Sequence, residues 1–281
     1  MNHGNILKLF SLEGRVAIIT GGAGRLGVKH AEILHDAGAM VVSFDISVPP
    51  DVRDRNFGDW YGLYNHPAVR HYPVDITDRQ AVFAAVDKIA MDLGGVDILI
   101  NNAAFNPKVG KDADTTGDEC WKPYEEFSEQ QWEKELRVGL TGAQFCTQAV
   151  ARYMIRENRG CILNIASTSA VTAPDHRKYK PGRFKSVAYP VVKTALLGLT
   201  RSWASYFASV APKVRVNAVC FGAVNFGSME PEFLAKLGER NMLRRPATPD
   251  EYKGTVLYLC SDASAFVTAS TLVADGGQTA L

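Results

Sequence analysis

The sequence predicts an α/β fold. One domain over residues 1–281 is built on a doubly wound parallel sheet of about seven strands, with helices on both faces. Three observations carry this. Short β-branched runs alternate with longer amphipathic runs along the whole chain. The short runs are compact and apolar, as strands covered on both faces must be. Gly21, Asp45, Asp75, Asn102, Ser167 and Gly222 all fall at or just past a predicted strand end. That puts them on the one rim where such sheets bind ligands.

Residues 16–20 (VAIIT) are the first strand, and the glycine-rich run 21–27 (GGAGRLG) follows at once. A helix runs from about Val28 to Ala37 and is closed by Gly38. Residues 40–44 form the second strand, ending at Asp45, and the polar stretch 47–70 reads as an ordered surface excursion. The third strand covers 69–74, and Thr77 or Asp78 can cap a helix over 79–93. Residues 96–100 are the fourth strand, ending in Asn101-Asn-Ala-Ala104, and 105–126 form a polar loop. Ser128 and Gln131 make a capping box. The helix behind it carries an apolar stripe at Trp132, Leu136, Gly139, Ala143, Cys146 and Val150. Residues 161–165 are the fifth strand. The next loop holds Arg177, Lys178, Lys180, Arg183 and Lys185, read as a solvated basic face in preference to a phosphate site. After the helix that carries Tyr189 come a sixth strand (214–219), an irregular and then helical stretch (221–245), a helix (251–260) and a last strand (271–273).

Composition narrows the function classes. The 281 residues are 46% hydrophobic and 22% charged, with a net charge of +1. That balance gives no reason to expect nucleic acid or an anionic membrane as partner. No apolar run is long enough to span a bilayer or to act as a signal peptide. The five cysteines are scattered, without zinc spacing, so no metal is expected. Reduced thiols fit a cytoplasmic protein, and Cys161 and Cys220 read as core residues.

Two constellations carry chemistry. The first is the strand–glycine turn–helix–strand unit, with Asp45 18 positions after Gly27. Glycines let the backbone approach a pyrophosphate, the helix start offers free amides, and the acidic residue can accept from ribose hydroxyls. The unit therefore points to a dinucleotide. The second is Tyr189 and Lys193, one turn apart on a helix that starts near Pro190. An ammonium about 4 Å from a phenol is worth roughly 4 kcal/mol at a surface-like dielectric. On that expectation Lys193 lowers the Tyr189 pKa enough to make the phenol a usable base.

With these motifs in place, the chain resembles the short-chain dehydrogenase/reductase family, of the classical single-domain, Rossmann-type kind. The resemblance runs from Leu12 to Gly277. It rests on residues 20–27 (TGGAGRLG), Asp75-Ile76, 101–104 (NNAA), 164–167 (NIAS), 189–193 (YPVVK), 215–218 (RVNA) and 272–277 (LVADGG). The C-terminal runs 258–264 (YLCSDAS) and 271–277 (TLVADGG) further resemble a subset found with flagellin-modification and surface-polysaccharide genes.

The resemblance implies a set of roles. Tyr189 is the general acid/base, Lys193 supports it and holds the nicotinamide ribose, and Ser167 binds the reacting oxygen, with Ser169 as fallback. It also implies an NAD site built from Gly21, Arg25, Leu26, Gly27, Asp45, Asp75, Ile76, Asn102, Tyr189, Lys193, Gly222 and Val224. Residues 223–245 become a substrate lid, and the chain a homodimer or homotetramer. Asp45 favours NAD over NADP, with Arg25 as the residue that could reverse this.

Three departures stand out. Arg25 replaces the middle glycine of the turn, Phe221 and Phe226 stand where Pro and Thr are usual, and Gly139 replaces the family's catalytic Asn. Gly139 is expected to face the sheet, and Gly139→Asn to fold and keep or raise turnover. The leading function is an NAD-dependent oxidoreductase interconverting a secondary alcohol and a ketone on a small polar, sugar-like substrate. The alternatives are an NAD-using lyase or epimerase on a sugar derivative, and a non-catalytic NAD-binding protein.

Overall fold

A computed structural model describes residues 6–46, 63, 66–106 and 118–281. Most of the expected excursion at 47–70 and half of the loop at 105–126 lie outside the described residues. Seven strands form one parallel sheet in the order β3-β2-β1-β4-β5-β6-β7. They are β1 Val16–Thr20, β2 Met40–Asp45, β3 Val69–Pro73, β4 Ile98–Asn101, β5 Gly160–Ser167, β6 Val214–Phe221 and β7 Thr271–Ala274. The order reverses between β1 and β4, so the loops leaving these two strands diverge and open a crevice at their carboxyl ends.

Helices cover both faces. In chain order they are α1 (Arg25–Asp36), α2 (Arg79–Leu93), α3 (Glu129–Leu136) with its continuation α4 (Gly142–Glu157), α5 (Ala188–Val210), α6 (Pro231–Glu239) and α7 (Lys253–Cys260). Two buried clusters show which helix serves which face. Val28, Ala31 and Leu34 of α1 meet Val256 and Leu259 of α7 over one face of the sheet. Val82, Val86 and Ile89 of α2 meet Cys146 and Val150 of α4 and Ala204 and Phe207 of α5 over the other. Cys161 and Cys220 are core residues, as the sequence indicates. No helix among the described residues is long and apolar enough to cross a membrane.

Four local differences from the sequence expectation bear on the site. First, α1 starts at Arg25, not Val28, because Gly24 is extended (φ −80, ψ 165) and ends the turn there. Second, β5 and β6 each run further, so Ser167 and Phe221 are paired residues at the strand ends. Third, the helix after Ser128 is interrupted: Arg137–Thr141 form a π turn between α3 and α4. Fourth, only half of the capping box forms. The Ser128 hydroxyl accepts from the Gln131 amide, while the Gln131 side chain donates to Glu135 Oε1 at 3.0 Å. Accordingly Gln131 and Glu135 are buried at the start of this helix, one position before the expected Trp132 and Leu136.

Candidate active site

The glycine turn makes the floor of the crevice. Gly21 has φ +62, and a Cβ there would stand 2.9 Å from Ala103 Cα. A Cβ on Gly27 would collide with the Gly21 carbonyl. The turn is thus closed against β4's loop and its own helix, which leaves its outer side as open backbone. Asp45, the last residue of β2, accepts the Ala23 amide on Oδ2 at 3.0 Å. Asn102 donates from Nδ2 to the carbonyls of Thr20 and Gly21, both at 3.0 Å. Thr20 completes the clamp, since its hydroxyl accepts from the amides of Asn102 and Ala103.

Asp75 and Ile76 lie on the same rim and divide their tasks. Asp75 is exposed and its carboxylate accepts the Thr77 amide, while Ile76 is buried against Gly142. Leu26 is packed against the α1-side core. The Arg25 guanidinium reaches the segment after β6: it donates to the Ser228 hydroxyl at 3.1 Å and lies over the Phe226 ring.

Ser167, Tyr189 and Lys193 come together past the ends of β5 and β6. The Ser167 side chain lies beside the Tyr189 phenol and acts to lower its pKa, and its hydroxyl accepts the Ser169 amide. Because a 3-10 turn begins at Thr168, Ser169 does not continue the strand, and Ser167 is the serine at the phenol. Lys193 is 3% exposed, and its ammonium donates to the Ile165 carbonyl at 2.7 Å. Burial lowers its pKa to about 8.

The expected electrostatics of the phenol need correction. Lys193 Nζ is 5.7 Å from the Tyr189 ring centroid and is engaged by a carbonyl. Loss of hydration dominates and raises the phenol pKa, with Ser167 opposing.

Residues 223–245, the expected lid, hold a short anchor and a helix. Val224 bridges Ala247 in parallel, and α6 follows. Gly222 donates its amide to the Ala274 carbonyl at 3.1 Å. Arg240 just after α6 pairs with Asp175 at 3.1 Å, and Phe233 meets Tyr179, which ties α6 to the loop before α5.

Two residues next to the phenol escaped the sequence reading. Lys185 is buried, not part of a solvated face; its ammonium lies 3.8 Å from the Tyr189 ring centroid and donates to Asn106 Oδ1. Glu135 is also buried and accepts the Ser186 hydroxyl at 2.7 Å. The available signals were weak. Lys185 sat at the end of a basic run, and Glu135 one position before an assumed apolar stripe.

Comparison with known proteins agrees with this geometry. A family model described as enoyl-(acyl carrier protein) reductase matches residues 22–279. Cis-4-hydroxycyclohexanecarboxylate dehydrogenase of Sinomonas cyclohexanicum is 30% identical, across 95% of this chain and 97% of that one. Gluconate 5-dehydrogenase of Gluconobacter oxydans is 31% identical, across 96% and 97%. Among solved structures, a gluconate 5-dehydrogenase of Burkholderia cenocepacia J2315, in complex with NADP and tartrate, superposes with a TM-score of 0.77 at 29% identity, covering 98% of this chain and 99% of that one.

The chain belongs to the short-chain dehydrogenase/reductase family.

As a short-chain dehydrogenase/reductase it is a nicotinamide-dependent oxidoreductase acting on a secondary alcohol or its ketone. The closed glycine turn beside a helix start fits the pyrophosphate of such a cofactor. Gly139 departs from the family, and also from the expected orientation. It faces α5 and not the sheet: a Cβ on Gly139 would stand 2.5 Å from Val192 Cγ1. Close approach of the π turn to the helix carrying Tyr189 and Lys193 is what this glycine permits.

Proposed function

We propose that this short-chain dehydrogenase/reductase prefers NAD and interconverts a secondary alcohol and a ketone on a small polar, polyol- or sugar-like substrate, with Tyr189 as general acid/base. The observation that carries the reading is that Ser167, the Tyr189 phenol and buried Lys193 come together on the rim that also holds the glycine turn. Tyr189 takes the proton from the carbinol oxygen on oxidation and returns it on reduction. Ser167 donates a hydrogen bond to that oxygen and orients it toward the phenol. Lys193, fixed by the Ile165 carbonyl, supplies the positive charge that steadies the phenolate as it forms. The nicotinamide, when bound, accepts or gives the hydride.

Gly21, Arg25, Leu26 and Gly27 would hold the pyrophosphate side of the cofactor. Asp45, Asp75 and Ile76 would hold the adenosine, and Asn102, Lys193, Gly222 and Val224 the nicotinamide half. Asp45 supports NAD, since its carboxylate can accept from a 2′-hydroxyl and repels a 2′-phosphate. Arg25 reaches toward Ser228 of the lid, and this orientation supports the same choice. Relatives named as gluconate 5-dehydrogenase and D-threitol dehydrogenase support a polyhydroxylated substrate. Val191, Tyr206 and Val210 are exposed on α5, which supports a homodimer or homotetramer.

The test is a panel of polyols, sugars and sugar acids assayed for net NADH formation. Oxidation with stoichiometric NADH supports the reading. Conversion of a substrate with no net NADH would establish transient cofactor use, as in a lyase or epimerase, and NAD binding without any conversion would leave a binding protein.

A further inference from the structure

Lys185 does not behave as a surface lysine. It is 8% exposed, its ammonium lies against the face of the Tyr189 ring, and its hydrogen-bond acceptor among the described residues is Asn106 Oδ1. An ammonium has more N–H donors than one carbonyl oxygen takes. Burying such a charge is costly unless an anion answers it.

Glu135 is the obvious candidate for that anion, and the hydrogen bonding assigns it elsewhere. Oε1 accepts from the Gln131 side-chain Nε2 at 3.0 Å, and Oε2 accepts from the Ser186 hydroxyl at 2.7 Å. Both donors are neutral. No ion pair joins Lys185 to a carboxylate among the described residues, and Glu135, held by two neutral donors, acts on it only through space. The local result is a buried lysine with spare donors, next to the residue that handles the proton. Loss of hydration lowers its pKa to about 7, and an anion bound beside it would restore the full charge.

Position gives this cation its meaning. Lys193 sits behind the phenol and is committed to the Ile165 carbonyl. Lys185 approaches the same ring from the start of α5, next to exposed Asn106 on the loop that leaves β4. At 3.8 Å from the ring centroid, this ammonium stands within a short chain's span of the phenol oxygen, where a carbinol would react.

Resting on the oxidoreductase reading above, we propose that Lys185, held by Asn106, is the anion-reading residue of the substrate site, so that the preferred substrate is a hydroxy or keto acid with its carboxylate a few carbons from the reacting centre. The carboxylate accepts from the lysine ammonium in a charge-assisted hydrogen bond, which fixes which hydroxyl faces Tyr189.

The experiment measures binding, so it does not depend on turnover. Threonate, arabinonate and gluconate are titrated calorimetrically into NADH-saturated protein, each against the alditol of the same skeleton. At least one acid should bind about tenfold or more tighter than its alditol, the range expected for a hydrogen bond to a charged group. In K185M that ratio should fall to within about twofold of one, and K185R should restore most of it. K185Q serves as a second neutral variant if K185M does not fold.

The proposal is overturned if no acid outbinds its alditol, or if the neutral variants keep the preference. It is also overturned if they lose acid and alditol equally, which would make Lys185 a structural support for Tyr189. The two readings fail separately. An acid preference that depends on Lys185 with no NADH formed from any substrate sinks the oxidoreductase reading alone, whereas turnover of alditols with no acid preference sinks this inference alone.

Discussion

Gly139→Asn places in this chain the residue that the family carries at the position, and the structure predicts that it does harm. A Cβ at 139 stands 2.5 Å from Val192 Cγ1, whereas ordinary contact begins at 3.4 Å. Val192 is β-branched and held to one rotamer on a helix, so its methyl cannot swing away. The π turn or α5 must move instead, and overpacking of this kind costs about 1–3 kcal/mol. Replacing glycine returns only a few tenths of a kcal/mol in helix propensity. At about 2–4 °C per kcal/mol in a large domain, Tm should fall by roughly 2–12 °C. Val192 precedes Lys193, so the displacement lands on the site and kcat should fall as well.

Val192→Ala removes the colliding methyl. The double variant should therefore be more stable than the sum of the two single changes, by about 1 kcal/mol or more, because residues in contact couple. Thermal denaturation and turnover of the four proteins decide it. A Gly139→Asn protein with an unchanged or higher Tm, or a strictly additive double variant, would refute the reasoning.

Three further outcomes follow from the same structure. Asp45→Asn keeps an acceptor for the Ala23 amide but removes the charge, so NADP binding should strengthen relative to NAD; an unchanged ratio in calorimetry would count against Asp45 as the cofactor selector. His30 is fully buried with neither ring nitrogen hydrogen-bonded among the described residues, and burial lowers its pKa from 6.5 to about 3. A depressed folded pKa gives stability that is complete above about pH 6.5 and lost as pH falls toward 3, so His30→Met should flatten the decline of Tm across that window, and an unaltered acid profile would contradict it. Light scattering at micromolar concentration should give a dimer or tetramer, and Tyr206→Glu on α5 should shift it toward monomer; a wild-type monomer would overturn the assembly.

The fold was legible because its strands are apolar on both faces and its helices are amphipathic, so periodicity separates them. The rim was legible for the same reason, since strand ends place Gly21, Asp45, Asn102 and Ser167 together without any knowledge of side-chain packing. What was not legible depends on contacts between distant elements. Gly139 reads as part of a stripe on one helix, and only the π turn rotates it toward Val192. The Tyr189 pKa was expected to fall, because spacing gives the Lys193 neighbour but not the carbonyl that engages it or the burial of the ring. Lys185 reads as one of five loop cations, and nothing in its neighbours announces that the chain turns inward there.

The central claim is that Tyr189 moves the proton in a hydride-transfer reaction. Tyr189→Phe keeps the ring, its contact with Lys185 and its packing, and removes only the hydroxyl. The decisive measurement is steady-state NADH formation by wild type and Tyr189→Phe on the best substrate, alongside NAD binding to each by calorimetry. The account predicts that turnover in the variant falls by at least about a hundredfold, the lower end of what a positioned acid/base contributes, while NAD affinity stays within about threefold. Turnover above a tenth of the wild-type rate, or loss of NAD binding in step with activity, would contradict it.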